Sequence, residues 1–173
     1  MTHSGKHQSY IGLGSNQGDR LDFLRQARSE IGALPGCRIV ASAPVYETEP
    51  VGVPEAYRDT WFLNTVLLCE TALAAEAWLD ALYAIEHRLC RRRTEERNAP
   101  RTIDIDILTY GERIMANPSL TLPHPQCASR RFVCQPLSDI APDLILPGRT
   151  ETVTEIVEQL PPTPVVRRYA QTW

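Results

Sequence analysis

The octapeptide at residues 100–107, Pro-Arg-Thr-Ile-Asp-Ile-Asp-Ile, alternates residue types in a way that suits metal-assisted phosphate chemistry. Successive side chains of an extended strand point to opposite faces, so Thr102, Asp104 and Asp106 share one side while Ile103, Ile105 and Ile107 share the other. One face is built for a core, the other for cations. Carboxylates at i and i+2 are about 6.6 Å apart along the backbone, and can converge on one or two Mg²⁺ ions roughly 3.5–4 Å apart. Just upstream, six of the chain's 18 Lys and Arg residues (Arg88, Arg91, Arg92, Arg93, Arg97 and Arg101) stand against two acids, Glu95 and Glu96. Such a cluster is either a solvated helix end, favoured there by the macrodipole, or a local field that gathers anions. Its place directly before the aspartates favours the second. Phosphoryl transfer needs cationic charge on both flanks of a polyphosphate, and stabilising that charge is most of its catalysis.

The basic residues are arginine throughout except Lys6, and no Gly-Lys-Ser/Thr tripeptide occurs, which excludes P-loop chemistry. Phosphate must be held by guanidinium forks, which bind it bidentately and keep their charge. Leu122-Pro-His-Pro125 sets His124 between two prolines, where it either contacts a phosphate or packs a turn. Arg130-Arg131-Phe132 then adds cations and an aromatic plane, although a phenylalanine such as Phe132 taken singly is more often a core residue than a stacking platform. Asn64 carries donors and an acceptor suited to a heterocycle edge, or to the backbone alone.

The chain has 173 residues, is 43% apolar and 23% charged, and carries a net charge of −3, as an ordinary globular domain does. That balance gives no general attraction to nucleic acid or an anionic membrane, so a polyanion site has to be local. No run approaches the roughly 20 apolar residues of a membrane span, and the first residues lack a secretory hydrophobic region. Five cysteines without a Cys-x-x-Cys pair, and histidines without zinc spacing, point to reduced structural thiols and no zinc. The expectation is a single cytoplasmic domain over residues 1–173, with 1–8 flexible.

The elements that must position these groups follow from periodicity. Residues 9–14 read as a first strand, Asp19 as a helix N-cap, and Leu21, Leu24, Ala27, Ile31 and Leu34 as a helical stripe ended by Pro35-Gly36. A second strand is expected over 37–46 with Pro44 at an edge or bulge, then a long functional loop, a third strand over 61–70, and a helix over 74–92 on the stripe Trp78, Leu82, Ile85, Leu89. A fourth strand over 102–110 completes β-α-β-β-α-β, a ferredoxin-like α+β core with an antiparallel sheet and its helices on one face. Residues 111–173 form a C-terminal extension of short elements, with 151–160 as its helix.

Taken together the motifs resemble the 6-hydroxymethyl-7,8-dihydropterin pyrophosphokinase family of folate biosynthesis, from about Tyr10 to Trp173. The markers are Gly12-Leu-Gly-Ser-Asn16, Tyr46-Glu-Thr-Glu-Pro50, Phe62-Leu-Asn64, Arg97-Asn-Ala-Pro-Arg-Thr-Ile-Asp-Ile-Asp106, Leu122-Pro-His124 and Pro136-Leu-Ser-Asp-Ile-Ala-Pro142. The resemblance implies transfer of a diphosphate from ATP to the hydroxymethyl oxygen of the pterin, with release of AMP. It implies that Asp104 and Asp106 hold two Mg²⁺ and that Arg91 and Arg101 neutralise developing charge. Arg93 and Arg97 would lie on a loop that closes over the nucleotide, with Ile105, His124 and Arg130 also at the ATP. The pterin would stack between Phe62 and Phe132 and be read by Asn64 and by groups around Thr48 and Val51, with Glu86 near the site. Small-molecule substrates, no nucleic acid or membrane partner, and a monomer complete that picture. Asn98, Glu49, Pro125 and Phe62 depart from residues common in the family, in place of tryptophan, proline, an aromatic and tyrosine. Two other classes compete: a nucleic-acid module, which wants a basic surface and exposed aromatics, and a non-catalytic binder of nucleotide or pterin, suggested by Asn98.

Overall fold

The computed structural model describes residues 5–91 and 99–173. Its elements in order are β1 (His7–Ser15), α1 (Arg20–Ala33), β2 (Cys37–Ser42), β3 (Val45–Thr48), β4 (Phe62–Thr71), α2 (Ala75–Arg88), β5 (Asp104–Tyr110), β6 (Met115–Ala116), β7 (Thr121–Leu122), α3 (Arg131–Ile140), α4 (Val153–Gln159) and β8 (Val166–Ala170). The main sheet runs β5-β1-β4-β3-β8, with β2 as a further partner of β4. All its pairings are antiparallel. This is the α+β, ferredoxin-like arrangement expected, carrying a C-terminal extension.

Local chemistry sets the first elements. Asp19 caps α1 by accepting the Asp22 N–H at 3.0 Å. Leu24, Ala27 and Ile31 of its apolar stripe are fully buried, and a buried aliphatic side chain contributes about 1.5–3 kcal/mol. The stripe of α2, Trp78, Leu82, Ile85 and Leu89, enters the same core as α1 and the isoleucines of β5.

Several boundaries differ from the sequence reading, each for a physical reason. Residues 7–8, expected to be flexible, belong to β1, where His7 pairs with Thr71 and Gln8 with Glu70. The second strand is two strands, because Ala43 and Pro44 break it and the break is held from β4: Thr65 donates its hydroxyl to Ala43 O at 3.0 Å and Pro44 O at 3.1 Å. Helix α2 stops at Arg88 instead of 92, since Cys90 takes a left-handed φ of 62° and Arg91 N–H turns back to Glu86 O at 3.0 Å. Strand β5 starts at Asp104, two residues later than read.

The two helices of the ferredoxin-like core share one face of the sheet, as expected, and the helices of the extension pack on the other. α1 and α2 cover one face. On the other, Ala43, Val66 and Leu108 pack with Cys134 and Leu137 of α3 and Val153 and Ile156 of α4. α3 contains Pro136, a residue that normally argues against a helix interior. α4 carries the full capping box of Thr152 and Glu155. Asp139 of α3 accepts the Tyr46 hydroxyl at 2.6 Å and an Arg168 N–H at 3.2 Å, so the extension is tied to β3 and β8.

Removing the hydroxyl that holds the break between β2 and β3 takes this donor from Pro44 O and leaves Ala43 O with the Trp173 indole N–H at 2.8 Å. Thr65→Val should therefore destabilise the protein by about 1–3 kcal/mol, read as a lower urea midpoint at unchanged slope; an unchanged midpoint would contradict this role for Thr65.

Candidate active site

The second face of the sheet is only half covered. α3 and α4 sit on Val66 and Leu108, and beyond them a cavity of about 470 Å³ is floored by Gly12, Gly14, Asn64, Asp104 and Asp106. Register explains the floor. Gly14 lies opposite Asp104 on one side and Asn64 on the other, and Gly12 lies opposite Asp106 and Val66. The carboxylate strand and the asparagine strand are thus separated by a backbone column without side chains, about 9–10 Å across. A Cβ on Gly14 would come within 2.7 Å of Asn64 Oδ1, so only glycine leaves that amide where it is.

At the β5 side Asp104 is held by two guanidiniums. Arg91 Nη1 donates to Oδ1 at 2.6 Å and Arg101 Nη1 to Oδ2 at 2.7 Å. Arg91 is also paired with Glu86 of α2, a carboxylate that is 2% exposed. Glu86 Oε1 accepts the Ile105 N–H at 2.7 Å, so the helix grips the strand at the residue between the two aspartates. Arg101 is fixed through its own backbone, donating to Asn16 Oδ1 at 2.8 Å and accepting from Asn16 N at 3.2 Å. These ties place two arginines on one carboxylate.

Asp106 stands differently: among the described residues no hydrogen bond or ion pair reaches its side chain. Burial pushes its carboxyl up to about 7, the neighbouring Asp104 and Glu86 charges adding to the effect and Arg91 and Arg130 opposing it. An unpartnered, half-buried carboxylate beside a second one fits a hard divalent cation, which would restore its ionised form. Among the described residues no group of three His, Cys, Asp or Glu ligands converges. A two-carboxylate site of this kind takes its other ligands from phosphate oxygens and water, as Mg²⁺ sites commonly do.

His124 enters from above β5. Its backbone N–H donates to Leu108 O at 2.8 Å, and its Nδ1 accepts the Gln126 N–H at 3.2 Å. That bond leaves the proton on Nε2, the nitrogen free to donate into the cavity. Burial, with Arg130 next, holds its pKa below the usual histidine range, so the ring is neutral at neutral pH. The Arg130 guanidinium lies 5.5 Å from the Phe132 ring centre. At the β3 side Asn64 Nδ2 donates to Thr48 Oγ1 at 2.6 Å, both residues being buried, and Val51, Phe62 and Phe132 line the same end.

Of the expected site residues, the structure brings Thr48, Val51, Phe62, Asn64, Arg101, Asp104, Asp106, His124, Arg130 and Phe132 to one cavity, with Arg91 joined through Asp104. Arg93, Arg97 and Asn98 lie outside the described residues. Ile105 is not at the cavity: its side chain is 1% exposed within the α1/α2 core and its N–H is taken by Glu86. Arg131, read with Arg130 as added cation, instead turns to carbonyls at the end of α4. The two aspartates differ in setting, Asp104 being doubly paired and Asp106 largely enclosed. The glycine floor escaped the sequence reading, although Gly-x-Gly on β1 has the period of Asp-x-Asp on β5.

A ferredoxin-like sheet carrying paired aspartates, arginines and a polar, aromatic-lined end defines a phosphoryl-transfer protein with a small flat acceptor. The family model of 7,8-dihydro-6-hydroxymethylpterin-pyrophosphokinase (HPPK) matches residues 10–142. The chain belongs to that family. It is 40% identical over 160 residues to the 2-amino-4-hydroxy-6-hydroxymethyldihydropteridine pyrophosphokinase of Methylorubrum extorquens, covering 92% of this chain and 98% of that one. The Pseudomonas aeruginosa protein of the same name is 41% identical over 138 residues, 80% of this chain and 83% of its own length. The fold is similar to a crystal structure of Plasmodium falciparum HPPK-DHPS A437G with SDX-DHP, at a TM-score of 0.73 and 12% identity over 91% of this chain, which spans 46% of that one.

Asp106 makes a pH prediction for the metal-free protein. The unfolded carboxyl ionises near 3.8 and the folded one near 7, so between these values only the folded state keeps the proton and stability falls as pH rises. Asp106→Asn should escape that loss and be more stable than wild type at pH 8 by something on the order of 1–3 kcal/mol. Melting temperatures of both proteins from pH 4 to 8 test it; curves that stay parallel would refute it.

Proposed function

We propose that the cavity passes the terminal diphosphate of ATP to the hydroxymethyl oxygen of 6-hydroxymethyl-7,8-dihydropterin and leaves AMP, with Asp104 and Asp106 holding Mg²⁺. Pyrophosphoryl transfer to hydroxymethyldihydropterin, in folate biosynthesis, is the chain's reaction as a member of its family. The nucleotide as donor, the cation and the residue roles are the proposal. One observation carries it: Gly14 sets Asp104 and Asn64 on its two flanks within a single cavity.

In the reaction a bond forms between the hydroxymethyl oxygen and the β-phosphorus while the O–H bond of that hydroxyl breaks and its proton passes to water. The bond from that phosphorus to the α,β-bridging oxygen breaks, and its electron pair departs on AMP. When bound, Mg²⁺ supplies charge neutralisation at the phosphates. The chain's own groups do the rest. Asn64 and Thr48 read the pterin edge, Phe62 and Phe132 enclose its faces, and the bare floor at Gly14 lets it lie toward the aspartates. Arg91 and Arg101 exchange Asp104 for developing phosphate charge, while His124 Nε2–H and Arg130 donate to phosphate oxygens. Arg93 and Arg97 belong to the same proposal as nucleotide contacts. Loose transition states of this type need positioning and charge more than a strong base. That the enzyme works in the cytoplasm as a single-domain monomer belongs to the same proposal; separately, no described helix is long and apolar enough to cross a membrane.

Incubation with Mg-ATP and the pterin, with separation of AMP from ADP, tests the reading. Wild type should release AMP only when both the pterin and Mg²⁺ are present, and Asp104→Ala or Asp106→Ala should lower turnover at least about a hundredfold. Near-normal AMP release by both variants, or ADP as the product, would sink it. Gly14→Ala should weaken pterin binding by about tenfold or more with ATP binding retained; equal pterin affinity in titration would show that the floor is not a binding surface.

A further inference from the structure

The far wall of the pterin end is a segment with little means of holding itself. Leu160, Pro161, Thr163 and Pro164 line the cavity there. Pro161, Pro162 and Pro164 have no amide N–H, so this connection between α4 and β8 cannot be fixed by its own donors. It is held at its start by the Arg131 side chain and at its finish by both the backbone and the side chain of Glu49. At the start Arg131, the first residue of α3, donates to Val157 O at 2.9 Å, Leu160 O at 2.6 Å and Pro161 O at 2.9 Å. These are end carbonyls of α4 and the residues just after it, groups that a helix leaves without partners and with negative dipole charge. At the finish Glu49 closes a ring with Val165: its N–H donates to Val165 O at 3.0 Å and its carboxylate accepts the Val165 N–H at 3.1 Å. Glu49 directly follows Thr48, the partner of Asn64, and Arg131 directly precedes Phe132.

We propose that Arg131 and Glu49 are positioning residues for the pterin: they hold the proline strap 160–165 against the substrate loop and so set the width of the slot into which the pterin fits. The inference rests on reading this end of the cavity as the pterin site. It accounts for both residues in terms of the geometry that surrounds them. Arg131 is drawn off the phosphate side by three carbonyls, and Glu49, an acid beside a cavity for an anionic co-substrate, spends its charge on a backbone amide. Neither needs to touch the substrate. Loosening either end lets the wall drift outward, which reduces contact with the pterin and leaves the aspartate end of the floor unchanged.

The test compares Arg131→Met, which keeps the aliphatic stem and removes the cap, with Glu49→Ala and the conservative Glu49→Gln. Titration with the pterin alone, steady-state KM for pterin and for ATP, and melting temperature are measured for each. Arg131→Met and Glu49→Ala should raise the pterin Kd and KM by about tenfold while the ATP KM moves less than about twofold, and Glu49→Gln, whose amide oxygen still accepts from Val165, should stay near wild type. Unchanged pterin Kd in Glu49→Ala, or pterin and ATP constants rising together as melting temperature falls, would overturn the proposal. Glu49 lies in an exposed loop and keeps the test decisive if Arg131→Met does not fold. Asn64→Ala separates the two levels: retained pterin affinity there defeats the site reading itself, whereas loss there with no effect in Arg131→Met and Glu49→Ala defeats the strap alone.

Discussion

The site exists because β1 carries no side chain on the cavity face where it crosses the middle of the sheet. Gly12 and Gly14 are centred between the strand of the aspartates and the strand of the asparagine, and the sheet register fixes all of them at once. A side chain at Gly14 would meet Asn64 at 2.7 Å. The same face is filled one step further along by Val66 and Leu108 under α3 and α4. A single face thus serves as core at one end and as cavity floor at the other. The change comes from side-chain size along β1.

The electrostatics of the floor follow from enclosure. Glu86, Asp104 and Asp106 are close together and mostly shielded from water, a costly grouping unless cations compensate. Arg91 bridges Glu86 and Asp104, and Arg101 takes the other oxygen of Asp104. Among the described residues Asp106 is left without such a partner, and burial first, with the Asp104 and Glu86 charges adding to it, raises its pKa. The arrangement keeps the arginines close to where phosphate charge would develop while leaving one carboxylate for a cation. Glu86 does this from a helix by also accepting the Ile105 N–H, so the position of β5 and the position of Arg91 depend on one carboxylate.

Much of this was legible in the chain. The alternation from Ile103 to Ile107 separates a core face from a polar face, and the structure keeps that separation, with Ile103, Ile105 and Ile107 buried and Asp104 and Asp106 at the cavity. The stripes of α1 and α2 were readable because each pairs a clear period with an apolar face. Where reading failed, a distant residue decided the outcome. The break at Ala43–Pro44 depends on the Thr65 hydroxyl, and the early end of α2 depends on a left-handed Cys90, a conformation usually left to glycine or asparagine. α3 was hidden by Pro136, and the sheet's second helical layer was hidden with it.

By itself the sequence determined the types and order of the chemistry: two aspartates with an apolar reverse face, arginine as the phosphate-binding cation, a histidine framed by prolines, and a ferredoxin-like core to carry them. Those are properties of neighbouring residues, and period and composition record them directly. Only the tertiary structure decided that the Arg131 guanidinium is taken up by carbonyls at the end of α4, that among the described residues Asp104 is paired while Asp106 is not, and that α3 and α4 cover part of one face. Each of these is settled by contact between segments far apart in the chain, where burial and competition for hydrogen-bond partners choose among orientations that local sequence leaves equal.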